Sequence, residues 1–502
     1  MDEATSGVQP TSYLLIQNPG EAPPDGFMVF GVSTTAGTGG GTIGQFGSGN
    51  KHAINLCLRN KIDPIIFAGM ERLSFFIKPD TLDDGLTKKN YGRVFCRVTN
   101  STTQKKKTVD LNASVDYGKF DWNELAMGLR EFVSNALDRT IRQDGSFHKA
   151  LEEKRLTIEI VDASQVRAKS GYTRVYLPLT PEVNQFYLEL PKRFLHFSEP
   201  DLLKTVILPK RDRNVSEKRV AVIYKKGVFV REITDYDMPS IFDYNFGDEL
   251  KLDESRVVSD YEVKEAATKA LRAADSDTLC KLFQAAIRKD KVWELTFEQF
   301  YLSTERIYDA ALRTKAKEQW KDGWDKALTA EGYSRENTVL AHEEDGLVEY
   351  AESKGHKVLM VESTTLVNAA KENSVATVAK VLDPLEAKGR KSVDLLPAAQ
   401  EAVDIVWDKL EKIGVTGSKK KPPVKCFAQI MTQQATTHGF YEDGTVFINE
   451  QHANAGINKL LLETALEEIG HHVTQAADLS LDFQGYFRKV IVEMWWKEDG
   501  KA

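Results

Sequence analysis

Hydrophobic and polar positions divide the chain into stretches of different period. The first 170 residues alternate short β-branched and aromatic runs with glycine-bearing turns, and YLLIQ (13–17), GRVFCRV (92–98) and LTIEIV (156–161) read as strands. Between the last two, Trp122 to about Arg142 carries Leu125, Leu129, Phe132 and Leu137 at three- to five-residue steps, the spacing of a helix with one buried face. From about Gly171 to Leu252 the β character continues through TRVYLPL, FYLEL and KRVAVIYKKGVFVREI. Over 258–330 the period turns helical, with AATKALRAA, LCKLFQAAIRK and STERIYDAALRTKAKEQW setting apolar stripes between Lys/Glu faces. NTVLA, DGLVEYAESKG, HKVLMVE and TTLVNAAKEN then alternate strand and helix as a small α/β unit. TGSKKKPPVK (416–425) reads as a linker, and after it VKCFAQI and TVFINEQ read as strands around the turn YEDG, ahead of the helical INKLLLETALEEIGHHV.

Composition narrows the class of protein. At 502 residues, with 41% hydrophobic and 28% charged positions, the chain has an ordinary globular balance and room for several cores. No apolar run approaches the ~18 residues of a membrane span, so no membrane partner is expected. The opening MDEATSGVQP lacks the basic end and apolar stretch of a signal peptide. Cys57, Cys96, Cys280 and Cys426 are scattered without a CxxC pair and read as reduced thiols, so a cytoplasmic location is expected. The net charge of −7 argues against a surface given over to nucleic acid; the lysine runs at 105–107 and 419–421 are of the short kind usually solvated.

Two segments carry candidate chemistry. In TIGQFGSGNKHAI (42–54), Gly44, Gly47 and Gly49 stand just before a helical run. Glycines there let backbone N–H groups close on a polyphosphate, aided by the helix N-terminus, and Lys51 supplies a point charge for a terminal phosphate. In GLREFVSNALDRTIRQDG (128–145), Glu131, Asn135 and Asp138 fall at i, i+4 and i+7, one stripe of a helix bordered by Phe132, Val133, Ala136 and Leu137. A carboxylate beside a carboxamide suits phosphate hydrolysis, with the Glu polarising a water while the Asn oxygen holds Mg²⁺ against phosphates.

Together the two segments resemble the GHKL ATPases, the class of gyrase B subunits, MutL, MORC proteins, histidine kinases and the large heat-shock chaperones. That family's helical box E-x-x-x-N-A-x-D stands here as Glu131-Phe-Val-Ser-Asn135-Ala-Leu-Asp138, and its I-G-x-F-G-x-G box as IGQFGSGNK, led in by FGVSTT (30–35). The order is inverted, because the helical box follows the glycine box, which implies a circular permutation. The adenine-reading D-x-G-x-G is altered: Asn18 takes the Asp position, followed by Gly20 and then Ala22, and Asp162 after LTIEIV is a rival for that role. TTAGTGGGT is a lid candidate. The resemblance covers about residues 10–255 and implies an α+β fold, a two-layer sandwich with helices on one face of a mixed sheet. A β-rich transducer-like domain would follow, with Lys225 or Lys226 a candidate for the terminal phosphate. It further implies ATP with Mg²⁺, Glu131 as the catalytic residue, nucleotide-driven homodimerisation, and a protein or DNA client.

The helix ETALEEIGHHVTQAAD is similar to the zincin metallopeptidase helix H-E-x-x-H with Glu467 in place of the first His, Glu468 after it and His471 four residues on. The likeness implies a second metal site, Zn²⁺ or a harder ion, at Glu467 and His471, with Asp478 or Asp482 as third ligand and TVFINEQ as the neighbouring edge strand. Degenerate structural use of the helix is the competing reading. His52, His342, His438 and His452 have no partner at metal spacing.

The expected organisation is an ATP-binding domain at 1–168, a transducer-like domain at 169–256, and a helical region at 257–335. A small α/β unit at 336–415, a linker at 416–425 and a zincin-like domain at 426–502 complete it. Besides a Mg²⁺-dependent ATPase, two other functions fit the sequence: a nucleotide-sensing scaffold with negligible hydrolysis, and a metallohydrolase gated by the ATP-binding half.

Overall fold

The computed structural model describes residues 10–498 apart from 30–48, 121, 235–236, 254–256, 298–303, 343–345, 374, 384 and 431–435. It is a mixed α+β protein of two compact units, Met1–Leu271 with Lys291–Phe297, and Arg272–Asp290 with Glu298–Ala502.

In the first unit, strands β1 (Ser12–Pro19), β2 (Ile65–Ala68), β3 (Glu71–Asp83), β4 (Lys88–Asn100), β5 (Lys106–Ser114), β6 (Thr157–Asp162) and β7 (Tyr172–Pro178) form one sheet in the order β5-β4-β3-β2-β7-β1-β6. Every ladder of this sheet is antiparallel, where the sequence pointed to a mixed sheet. Helices α1 (Gly49–Arg59) and α2 (Leu125–Asp144) share a core with it. Alternation in β1 explains the packing: Leu14 and Ile16 join Ala53, Leu129, Phe132 and Val133, while Tyr13 and Leu15 pack with Phe67 and Tyr176 in a second cluster.

β7 lies between β1 and β2, so the first sheet runs past the boundary expected at 168. FYLEL, read as strand, falls in helix α3 (Pro181–Leu188) and the turn after it. Thr180 caps that helix by accepting from the Val183 N–H at 3.3 Å, Pro181 opens it, and Val183 and Phe186 are buried three positions apart. Local capping outweighed the β-type composition.

A second sheet follows in the order β10-β9-β11-β8, built from β8 (Ile207–Pro209), β9 (Val222–Lys225), β10 (Val228–Glu232) and β11 (Phe242–Phe246). Positive φ at Lys226 and Gly227 makes the tight β9–β10 turn.

The helices expected over 258–330 form as α4 (Asp260–Arg272), α5 (Ser276–Ile287) and α6 (Ala310–Ala330), with α5 and α6 in the second unit. There, β12 (Thr338–His342) and β13 (Lys357–Val361) pair in parallel, where NTVLA and HKVLMVE read as strands. β14 (Arg390–Val393), β15 (Val424–Gln429), β16 (Gly439–Glu442) and β17 (Thr445–Asn449) form the last sheet, in the order β14-β15-β17-β16. Its core is shared with α7 (Pro397–Lys412), α8 (Lys459–Thr474) and part of α9 (Leu481–Glu498).

Two expectations are corrected here. The 416–425 stretch is not an interdomain linker, because α7 before it and β15 after it share one core, and Lys421 bonds Asp404 of α7 at 3.0 Å. TVFINEQ is not the edge strand: it forms β17, flanked by β15 and β16, and β16 is the edge.

Candidate functional site

The helical stripe and the end of the glycine box meet. α1 and α2 pack closely enough that a Cβ on Gly128 would sit 3.1 Å from the Ala53 Cα. At the start of α1, a Cβ on Gly49 would fall 2.3 Å from Glu131 Oε2, and Asn135 Nδ2 donates to Asn50 Oδ1 at 2.8 Å. Glu131 and Asp138 are buried. Gly44, Gly47, FGVSTT and the lid candidate lie outside the described residues.

The same helix reaches the end of β1 farther along. A Cβ on Gly20, whose φ is +85°, would fall 2.3 Å from Gln143 Oε1 and 2.9 Å from Arg139 Nε, so glycine is needed for both backbone conformation and close approach. Arg139 Nη2 donates to the Glu21 carbonyl at 3.0 Å, and Thr173 Oγ1 donates to the Gly20 carbonyl at 2.8 Å. Asn18 is buried beside this turn and donates through Nδ2 to the Pro19 carbonyl at 2.8 Å. One face of α2 thus runs from Gly49 past Glu131, Asn135 and Asp138 toward Gly20.

Asp162 stands apart. It pairs with Ser12, whereas Asn18 is at the other end of β1. Its carboxylate accepts from the Ser164 N–H at 2.8 Å, which lowers its pKa. Lys51 is buried in α1, and burial lowers its pKa to about 8. Lys225 donates to the Leu250 carbonyl at 2.5 Å and Lys226 pairs with Asp248 at 2.7 Å, so both hold the second sheet's own loops. His52 is stacked between Tyr117 and Trp122 at 5.3 and 5.0 Å between ring centroids.

Arg130 is a residue that the sequence pattern does not single out. Its Nη2 lies 3.8 Å from Glu131 Oε1 while Nη1 donates at 3.0 Å to the Phe229 carbonyl of β10. The side chain therefore connects the water-activating candidate to the second sheet. Its position directly before Glu131 is the one signal of this in the sequence.

In the second unit, Glu467, Glu468, His471 and Asp478 line one cleft of about 620 Å³ with β16. His471 Nε2 lies 2.8 Å from Asp478 Oδ1, and Nδ1 lies 2.8 Å from the Ala476 carbonyl. Glu468 is 6% exposed, and burial raises its pKa to about 7. Asp482 lies in the first turn of α9 and does not line the cleft. Among the described residues, no three His, Cys, Asp or Glu side chains already stand at metal-binding geometry. His438 and His452, without partners by spacing, are brought together with ring centroids 4.2 Å apart. Here the fold supplies a proximity that linear distance concealed.

No protein-family model matches the chain, and no curated protein matches it.

Proposed function

We propose that the first unit is a GHKL-type ATP-binding domain of permuted order, in a two-layer sandwich, that hydrolyses ATP with Mg²⁺. The observation that carries this reading is the meeting of Gly49 with Glu131 and of Asn50 with Asn135, two contacts between motifs far apart in sequence. Gly49 and the start of α1 present N–H groups to the phosphates. Asn135, with its amide nitrogen engaged by Asn50, offers its carbonyl oxygen to Mg²⁺, and Asp138 lines the same face. When bound, Mg²⁺ neutralises charge on the phosphate oxygens. Glu131 orients a water and takes its proton as that oxygen bonds to the terminal phosphorus and ADP leaves. Gly20 and Asn18 form the base end of the pocket, and Asn18 reads the adenine amine through its carbonyl. Dimerisation on ATP and a protein or DNA client belong to the same proposal.

The test is Mg²⁺-dependent ATP binding and turnover, measured beside Glu131→Ala. Turnover lost in the variant with binding kept supports the assignment. Binding without turnover in either protein makes the domain a nucleotide-sensing scaffold. Absence of binding overturns the reading.

A further inference from the structure

The C-terminal cleft holds a buried acidic group that the packing around it leaves unmatched. α8 sends Glu467, Glu468 and His471 into the cleft. The chain then doubles back at Gln475, whose φ is 56° and whose N–H returns to the His471 carbonyl at 2.8 Å, and Asp478 joins the same cleft. His471 is fully used. Its ring stacks on Phe483 at 4.1 Å, and both nitrogens face oxygen acceptors, Nδ1 the Ala476 carbonyl and Nε2 the Asp478 carboxylate, each at 2.8 Å. Neither nitrogen is left for Glu468.

Glu468 is the most enclosed of the three carboxylates, 6% exposed where Glu467 and Asp478 are open to solvent. Its carboxyl group makes no hydrogen bond or ion pair among the described residues. A buried carboxylate without a donor is costly unless an incoming group completes it. Burial pushes its pKa up to about 7; His471 and Arg390 act to lower it, and Glu467 and Asp478 to raise it. Arg390 of β14 is held instead over the Phe440 and Phe427 rings, at 4.1 and 5.6 Å. Gly439 keeps the β16 side of Glu468 uncrowded: a Cβ there would fall 2.6 Å from Thr464 Cγ2 and 3.2 Å from Glu468 Cγ. His438, Phe440 and Tyr441 line the cleft from that side.

We propose that this cleft binds an organic cation, an ammonium or guanidinium group at the end of an unbranched alkyl chain, with the Glu468 carboxylate as its buried partner and Glu467 and Asp478 at the rim. Such a head group carries several N–H donors pointing in different directions, each meeting a carboxylate oxygen at about 2.8 Å. It completes Glu468 without requiring the other carboxylates to converge on one point. Phe440 and Tyr441 offer ring surface to the methylenes and to the charge behind them. A cleft of about 620 Å³ has the size of a small-molecule site and admits one slender chain. A Lys or Arg side chain of a protein and a free polyamine share this chemistry.

The experiment is calorimetric titration of the full, untagged chain at pH 8 and pH 6 with N-acetyl-lysine amide, N-acetyl-arginine amide and spermidine, and with N-acetyl-norleucine amide as the uncharged control. At least one cationic probe is expected to saturate the protein at pH 8, and the control is expected not to bind. A carboxyl group with a pKa of about 7 is about nine-tenths ionised at pH 8 and about one-tenth at pH 6, so binding is expected to weaken several-fold at the lower pH. Glu468→Gln keeps the shape and removes the charge. It is expected to lose about tenfold in affinity at pH 8 and much less at pH 6, which separates Glu468 from the other titrating groups of the cleft. Glu467→Gln, at the exposed rim, is expected to lose less than Glu468→Gln at pH 8. Because Glu468 has no bonded partner to lose, Glu468→Gln is expected to melt no lower than wild type, so a loss of binding is not a loss of fold. Failure of every cationic probe to bind the wild type, equal binding of the norleucine control, or equal affinity in wild type and Glu468→Gln at pH 8 overturns the proposal. Tighter binding of the lysine or arginine amide points to a protein side chain as the source and tighter binding of spermidine to a free polyamine; both support the site. None of these readings depends on ATP, so the outcome is separate from that of the first unit.

Discussion

Gly49 is where side-chain volume and chemistry meet most directly. A methyl group there would stand 2.3 Å from Glu131 Oε2, so the carboxylate at the end of its flexible side chain has to move. Helix propensity opposes no such change, since alanine is favoured over glycine by up to about 1 kcal/mol within a helix. If the first unit is the ATPase proposed, Gly49→Ala is expected to fold with near-normal stability while ATP turnover drops at least tenfold and ATP affinity falls much less. Separate measurement of kcat and KM with a thermal melt checks this; turnover equal to wild type would mean that Glu131 does not need its present position. Glu131, Asn135 and Gly49 are legible in the sequence because a helix converts fixed spacing into shared direction. Arg130 is not legible in that way. Its role depends on the Phe229 carbonyl of another sheet, which no local period announces. The pairing of His438 with His452 is hidden for the same reason, because their contact is made by the fold rather than by spacing.

At the scale of elements, long amphipathic stretches declare themselves and short mixed ones do not. α2 and α8 have buried positions repeating over several turns, whereas FYLEL is too short for its period to distinguish helix from strand, and the Thr180–Pro181 cap decides. The β9–β10 turn gives a pH prediction of this scale. Gly227 in that turn lies so close to His196 that a Cβ would fall 2.8 Å from its Cε1, and Phe147 packs edge-on against the same ring at 5.2 Å. Burial, with His148 adding to it, lowers the His196 pKa from 6.5 to about 4. Between those values an unfolded chain takes up a proton that the folded one refuses. Stability is then fully present above about pH 6.5 and is lost as pH falls toward 4. At about 1.4 kcal/mol per pH unit the whole span has a ceiling of roughly 3 kcal/mol. Urea denaturation at pH 7.5 and pH 5 is expected to show part of this loss in wild type and a smaller one in His196→Leu; identical pH dependence in the two would remove His196 as its source.

Across the whole molecule, segment boundaries are the least readable feature, because they depend on which cores the segments join. β7 follows the expected boundary at 168 yet completes the first sheet, and the Lys- and Pro-bearing stretch at 416–425 turns within one core rather than joining two. Composition marks where chain is polar and irregular; it does not say whether the elements on either side pack together. The division into two units has an observable consequence if ATP belongs to the first. A ligand that binds only folded protein stabilises it by RT ln(1 + [L]/Kd), about 2.7 kcal/mol at a hundredfold excess over Kd. Hydrogen exchange with Mg²⁺ and ATP is therefore expected to slow in α1, in α2 from Arg130 to Gln143, and in the turn around Gly20. The strands β15 and β17 in the second unit provide an internal reference. Protection confined to the first unit agrees with a nucleotide pocket along α2. Protection appearing at β15 and β17 with none in α2 would place the nucleotide elsewhere, and Glu131 and Asn135 would revert to a buried polar face of a helix.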